Sequence, residues 1–409
     1  MIVRKIKAEE YRRVRQLSSL AFEYVARGIE RPNDEMLAYI TGEPERRQDI
    51  FWDSQWAAFE DDDRTMMSTF TVVPYRASFD GHDVSMMGIG GVATLPQFRH
   101  RGGIRACFEK ALPDMYQQGA ALSYLYPFSS AFYQKFGYEL ACERILCKLE
   151  LCGMPSFEVD GTFHLLEPGV DLKEDIIRVC SAFQKRYNLM VLEEDIEYAW
   201  IDKAEPFLQR EYTYLYRSAS GEPKGVVTYK PVVHEGDKTL DCDYRFYFTD
   251  PEGFMALIHL LRRLMADHSH VLISLPTDVE LGGILPEWSK HITRSVLSNG
   301  MVRVINAREV LKLARMRGSG ELIIELSDDF IAENNGRFLV RFQDGQTLAV
   351  ESTQQEADIV LTIREFSRLI CGRYDVSDFA WLPSVKMNCE PEKAAKVFYR
   401  KPMHICRYF

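Results

Sequence analysis

The sequence predicts a mixed α/β (α+β) protein of two or three domains, and three observations carry that expectation. At 409 residues the chain is longer than one ordinary core accommodates. Apolar runs of strand length alternate with segments of helical period, and the order helix, hairpin, strand, helix, strand occurs twice. Hydrophobic residues make up 46% and charged residues 27%, proportions that suit a globular chain with buried cores.

The elements follow in order. Ala8 to about Arg27 has helical spacing, and Trp56–Phe59 and Met66–Val73 read as strands around the polar turn Glu60–Arg64. Its three aspartates read as a solvated turn, because no other metal-ligand spacing accompanies them. An apolar stretch from roughly Val84 to Leu95 is a further strand, and a short basic turn with two glycines follows. Ile104, Cys107, Phe108, Ala111, Leu112 and Met115 then recur at helical spacing, with Pro113 expected to kink or break the helix near Leu112. In the second block, Leu172–Tyr187 reads as a helix, and Tyr212–Ser218, Gly225–Pro231 and Leu240–Thr249 read as strands. A helix opens at Asp250-Pro251, and Val271–Leu275 is the next strand. The last block mixes a helix Ala307–Ala314, strands Glu321–Leu326, Arg337–Phe342 and Thr347–Glu351, and a final helix near Glu392–Tyr399.

Composition narrows the function. No run of about 18 apolar residues suggests a membrane span. The opening Met1–Lys7 is too short in its apolar part for a secretory signal, so a cytoplasmic protein is expected. Nine cysteines, without a Cys-x-x-Cys pair, read as free thiols in a reducing compartment. A net charge of −10 argues against a nucleic-acid partner and agrees with a cationic, amine-bearing substrate. His268 and His270 beside Asp267 lack a third ligand at useful spacing, so no metal is expected.

The strand, glycine turn and helix at Val92–Arg105 form an anion cradle. Backbone N–H groups and the positive end of the helix dipole converge there, and Arg99, Arg101 and Arg105 add charge. A phosphorylated ligand is expected. It is neither a P-loop nor a dinucleotide fingerprint, because the Gly-Lys-Ser/Thr and the Gly-x-Gly-x-x-Gly spacings are both missing. The pattern Arg99-x-x-Gly102-x-Ile104 resembles the pyrophosphate loop of the GNAT acetyltransferases, although Ile104 stands where a small residue is usual. About 25 residues on, Phe132-Tyr133-x-x-Phe136-Gly137-Tyr138 resembles the GNAT helix that carries a catalytic tyrosine, with the glycine as its C-cap. The pair of motifs resembles the Eis (enhanced intracellular survival) family of N-acetyltransferases most closely.

That resemblance implies tandem GNAT folds followed by a sterol-carrier-protein-like α/β domain. The expected partition is a catalytic domain at 1–150, a GNAT-like domain without a cofactor site at 151–298, and the sterol-carrier-like domain at 299–409. The turn Thr249–Gly253, acidic where the first block is basic, agrees with an empty second site. Acetyl-CoA is the implied co-substrate, with no metal. Val92, Ala93, Thr94, His100, Arg101, Gly102, Gly103, Ile104 and Arg105 are expected to hold it, with Phe128 and Ser129 near the pantetheine end. The resemblance implies that a main-chain amide of Val92–Thr94 polarises the acetyl carbonyl. Tyr133, with an ordinary pKa near 10, is the expected proton donor to the leaving thiolate.

For the base, the resemblance implies the C-terminal carboxylate of the chain, here on Phe409. Glu23, in the early helix, is the rival. Phe51, Trp52 and Trp56 are candidate walls for the amine. The resemblance also implies a homo-oligomer, a hexamer, acting on aminoglycosides, polyamines or lysine side chains. The competing class is a non-catalytic acyl-CoA- or lipid-binding regulatory protein. Intact Arg99, Gly102 and Tyr133 favour the enzyme.

Overall fold

A computed structural model describes residues 1–25, 54–194, 198–283 and 292–405. Arg27, Phe51, Trp52 and Phe409 lie outside them. The described chain forms two compact units. One gathers residues 1–141 and 300–401, and the other gathers residues 142–299 and the segment from 402.

In the first unit, strands β1 (Ile2–Lys5), β2 (Gln55–Phe59), β3 (Met66–Phe79) and β4 (His82–Thr94) run antiparallel in that order. β5 (Leu122–Leu125) joins β4 in parallel, and Met301–Val304 pairs antiparallel with β5. Helix α1 (Tyr11–Ala21) packs on β3 and β4, and α2 (Gly103–Gln117) packs across β1 to β4. A parallel pair needs a crossover, and α2 supplies it between β4 and β5. Its periodic residues Ile104, Cys107, Phe108, Ala111, Leu112 and Met115 are all buried, as their spacing predicts.

Two expectations need correction. Pro113 neither breaks nor ends α2, which runs through it to Gln117. Proline removes one N–H bond, but Ala111, Leu112 and Met115 are locked in the core on either side and hold the helix together. The early helix is also shorter than its pattern. It opens with a 3-10 turn at Ala8–Glu10 and ends at Ala21, and Glu23 then takes a left-handed backbone at φ 54°.

The second unit repeats the pairing logic of the first. Thr162–Leu165, Tyr212–Arg217, Pro223–His234 and Asp237–Phe248 are successive antiparallel neighbours. His270–Leu275 then pairs in parallel with Asp237–Phe248 and antiparallel with Glu139–Glu150. Its crossover helix is Pro251–Arg262. This is a tandem arrangement of one fold.

The segment from residue 402 is anchored in the second unit, where the Asn188 N–H donates to the Pro402 carbonyl at 3.1 Å. His404 stands edge-on to Phe183, with ring centroids 5.7 Å apart. Burial, with the Arg144 charge as a lesser cause, pushes its imidazole down to about 3. Unfolded His404 binds a proton below about pH 6.5 and folded His404 does not, so stability falls as pH drops from about 6.5. The expected result is a Tm that declines more steeply with acid in the natural protein than in His404→Phe. Equal slopes by calorimetry would contradict it.

Residues 320–387 form a separate five-stranded sheet. Gly336–Gln343 and Gln346–Ser352 add to one side of Gly320–Ser327, and Ile359–Thr362 and Lys386–Met387 add to the other. Helices Ala307–Leu313 and Ile363–Ile370 accompany it.

Candidate active site

The site begins with an irregularity in β4. Thr71 faces Gly90 and Thr69 faces Ala93, so Gly91 and Val92 together oppose Phe70. This is a β-bulge, and Gly91, at φ 61°, takes the left-handed conformation that glycine adopts without cost. On its other edge β4 pairs with β5 only from Met86 to Ile89. From Gly90 to Thr94 that edge has no neighbouring strand among the described residues. The main-chain groups that point away from β3 there face a cavity.

The turn after β4 builds the second side. His100 at φ 65° and Gly102 at φ 81° both lie in the left-handed region, and α2 starts directly at Gly103. A Cβ on Gly103 would stand 2.5 Å from Ser68 Oγ, so only glycine lets the helix start press onto β3. The N–H groups of Gly103, Ile104 and Arg105 have no partner within the helix, and the dipole is positive at that end. The equivalent helix of the second unit differs. Asp250 Oδ1 accepts from the Gly253 N–H at 2.9 Å, and Lys224 pairs with Asp250 and Glu252 at 2.8 and 2.6 Å. That helix start is capped and charge-satisfied by its own residues.

The opposite wall is aromatic. Helix α3 (Ser130–Gln134) carries Tyr133 and closes in a Schellman turn. There the Tyr138 N–H donates to the Tyr133 carbonyl and the Gly137 N–H to the Gln134 carbonyl, with Gly137 at φ 83°. Tyr133 stands edge-on to Phe132 and Phe128, with centroids 5.1 and 5.4 Å apart. Its ring is 3% exposed, and burial pushes the phenol well above its ordinary pKa. Its hydroxyl has no hydrogen-bond partner among the described residues. It therefore holds its proton, with no described acceptor competing for it.

These surfaces enclose one cavity of about 1030 Å³. Val92, Ala93, Thr94, His100, Gly102, Gly103, Ile104, Arg105, Phe128 and Tyr133 line it together, as does Arg99. Several other expected residues stand elsewhere. Arg101 points to Glu60, with Nη1 2.8 Å from Oε1, and is not on the wall. Ser129 is the extended residue before α3 and does not line the cavity either. Glu23 is exposed and off the wall, although its neighbour Phe22 lines it. Trp56 is a core residue rather than a substrate wall, because β2 is covered by α2.

Sequence reasoning missed Ile89, Phe98, Tyr126, Phe132, Lys135 and Phe136 on the lining. Aromatics give no signal that separates wall from core. It also passed over the bulge at Gly90-Gly91, although a glycine pair inside a strand pattern is the usual sign of one.

Comparison with known proteins agrees with this geometry. Residues 2–141 match the acetyltransferase (GNAT) domain family, and residues 301–407 match the sterol carrier protein domain family. No curated protein sequence matches the chain. Among solved structures, it resembles a conserved protein of unknown function from Enterococcus faecalis V583, described as a probable N-acyltransferase. The two are 20% identical with a TM-score of 0.80, over 100% of this chain and 99% of that one. A GCN5-related N-acetyltransferase from Anabaena variabilis is 16% identical with a TM-score of 0.83, over 100% of both chains. Eis1 from Mycobacterium abscessus is 16% identical with a TM-score of 0.78, again over 100% of both. The chain thus carries a GNAT acetyltransferase domain at its start and a sterol carrier protein domain at its end, in the whole-chain fold that Eis1 shares.

Proposed function

We propose that this protein transfers an acetyl group from acetyl-CoA to a primary amine, with Tyr133 as general acid and the Phe409 carboxylate as general base. The observation that carries the reading is the cavity joining three features: the β4 edge that no described strand pairs, the helix start at Gly103 and Tyr133. The residues present suit the co-substrate. Main-chain groups at Gly90–Thr94 that no described strand pairs fit the amides of an extended pantetheine arm. The N–H groups of Gly103–Arg105, with the side chains of Arg99 and Arg105, fit a pyrophosphate. Acetyl-CoA supplies an activated acyl group whose leaving thiolate needs a proton.

Tyr133 holds that proton. Its raised pKa makes it a weak acid, but the apolar walls that raise it would raise a thiolate's pKa too. A main-chain N–H near the bulge is placed to donate to a carbonyl oxygen as charge builds on it. The self-capped helix start at Asp250 supports a second GNAT-like domain without a cofactor site. The rival class, a non-catalytic acyl-CoA-binding protein, would use the same cavity but has no need of an unpartnered Tyr133 hydroxyl beside it. Release of free thiol from acetyl-CoA with a polyamine or aminoglycoside present tests the reading. Tight binding without release would overturn it.

Two further results follow from the site. Arg105→Ala is expected to weaken acetyl-CoA binding about tenfold, the loss of one charge-assisted contact at a partly exposed site. Arg101→Ala should change it less than about twofold, because Glu60 holds that guanidinium off the cavity wall, whereas Arg105 lines the wall while its Nε reaches Glu109 at 3.1 Å. Titration calorimetry ranks the two, and the reverse order would refute the placement.

The second result concerns pH. The active form of Tyr133 is protonated and its pKa is raised, so this group stays competent beyond about pH 10. The rate should climb with pH as the amine loses its proton, without a descending limb below about pH 10. A fall between about pH 8 and 9 that vanishes in Tyr133→Phe would show a lowered phenol pKa instead.

A further inference from the structure

Arg303 is 0% exposed and stands directly behind α3. Its Nη2 donates to Asp328 Oδ1 at 2.6 Å, its Nε to the Phe136 carbonyl at 2.8 Å and its Nη1 to the Val304 carbonyl at 2.9 Å. Asp328 is held in turn by the N–H groups of Phe330 and Ile331, at 2.9 and 3.3 Å, and by Asn334 Nδ2 at 2.9 Å. A buried ion pair adds little net stability over an apolar replacement, whereas its fixed fork imposes direction. The direction here is the Schellman turn that closes the Tyr133 helix.

Everything around that turn is tight. A Cβ on Gly137 would meet Arg303 Nε at 2.9 Å and Ile363 Cγ2 at 3.0 Å. The Phe330 ring packs edge-on to Phe136, with centroids 6.0 Å apart, and Arg105 lies over the same Phe330 ring at 5.6 Å. Just beyond the turn, buried Glu139 accepts from Gln134 Nε2 at 3.0 Å and pairs with Arg364 at 3.1 Å. Asp328, Phe330, Ile363 and Arg364 all belong to the sterol carrier protein domain. Arg303 lies in the same matched segment.

We propose that Arg303, locked by Asp328, is a positioning residue that aims the Tyr133 hydroxyl into the cavity, so that the sterol carrier protein domain is the buttress of the acid. The inference rests on the reading of Tyr133 as proton donor. Phe136 follows Tyr133 by three residues in one closed turn, so a shift of its carbonyl swings the tyrosine. A displacement near 1 Å at a reacting group costs on the order of a hundredfold in rate, and a partial one costs less.

Arg303→Lys keeps a cation for Asp328 and loses the fork that also reaches Phe136. The expected result is a kcat about tenfold lower at saturating acetyl-CoA, with the acetyl-CoA Kd within about twofold. Tyr133→Phe combined with Arg303→Lys should be no slower than Tyr133→Phe alone, because both changes remove one function. With an aryl thioester, whose thiol leaves with little protonation, the Arg303→Lys defect should shrink.

A folded Arg303→Lys with normal kcat, or defects that multiply in the double variant, would overturn the proposal. Near-normal turnover in Tyr133→Phe would instead sink the acid reading on which it rests. Should Arg303→Lys fail to fold, Phe330→Leu replaces it, removing the ring behind Phe136 without unpairing a charge. A severalfold loss of kcat, not additive with Tyr133→Phe, is then expected, and an unchanged kcat overturns the idea.

Discussion

Tyr133→Phe should lower kcat by roughly a hundredfold or more while leaving acetyl-CoA affinity nearly unchanged. The substitution removes one oxygen from a ring that otherwise packs as before against Phe108, Phe128 and Phe132. The hydroxyl has no described partner to lose, so the fold should tolerate its removal or gain slightly. What disappears is the proton that Tyr133 would give the departing thiolate; Tyr126, also on the cavity wall, is the control, and Tyr126→Phe should cost far less. Steady-state rates together with equilibrium binding check both halves. Near-normal turnover would reduce Tyr133 to a packing residue.

Deleting Phe409, or extending the chain past it, should be nearly as damaging. If the terminal carboxylate is the base, its position matters more than its side chain. One residue fewer withdraws it by about 3.5 Å, beyond the reach of a hydrogen bond of about 3 Å. An added residue turns it into a neutral amide. Phe409→Leu keeps the carboxylate and should be milder. A C-terminal tag that leaves full activity would rule the idea out and return attention to Glu23, whose neighbour Phe22 lines the cavity.

What the chain disclosed in advance was local. Gly102 and Gly103 followed by an apolar helical period announce a strand–turn–helix, because turn chemistry and helix periodicity are written within a few residues of each other. Tyr133 was legible for the same reason, since Gly137 four residues on marks the end of its helix. The repeat of pairing order in the second unit was visible as a repeat of element order. The rest depends on residues far apart in sequence. Nothing near Arg101 says that Glu60, 41 positions earlier, will draw its guanidinium off the cavity. Nothing near Phe136 names Arg303, 167 positions later, as the donor to its carbonyl. Pro113 misled because local propensity was weighed without the core that holds both sides of α2 together.

The stretch of β4 that no described strand pairs on its β5 side would also tie the protein's stability to its ligand. A strand edge with free N–H and C=O groups is a template for joining another chain, and folded proteins guard such edges. Between Gly90 and Thr94 a ligand filling the cavity would be such a guard. A ligand held there at about a hundred times its dissociation constant adds about 2.7 kcal/mol to the folded state and covers the edge as well. If acetyl-CoA is that ligand, a cell rich in it would keep this protein folded and dispersed. Without the ligand the same five residues would lose that cover, and the amount of folded protein would follow the supply of whatever the cavity binds.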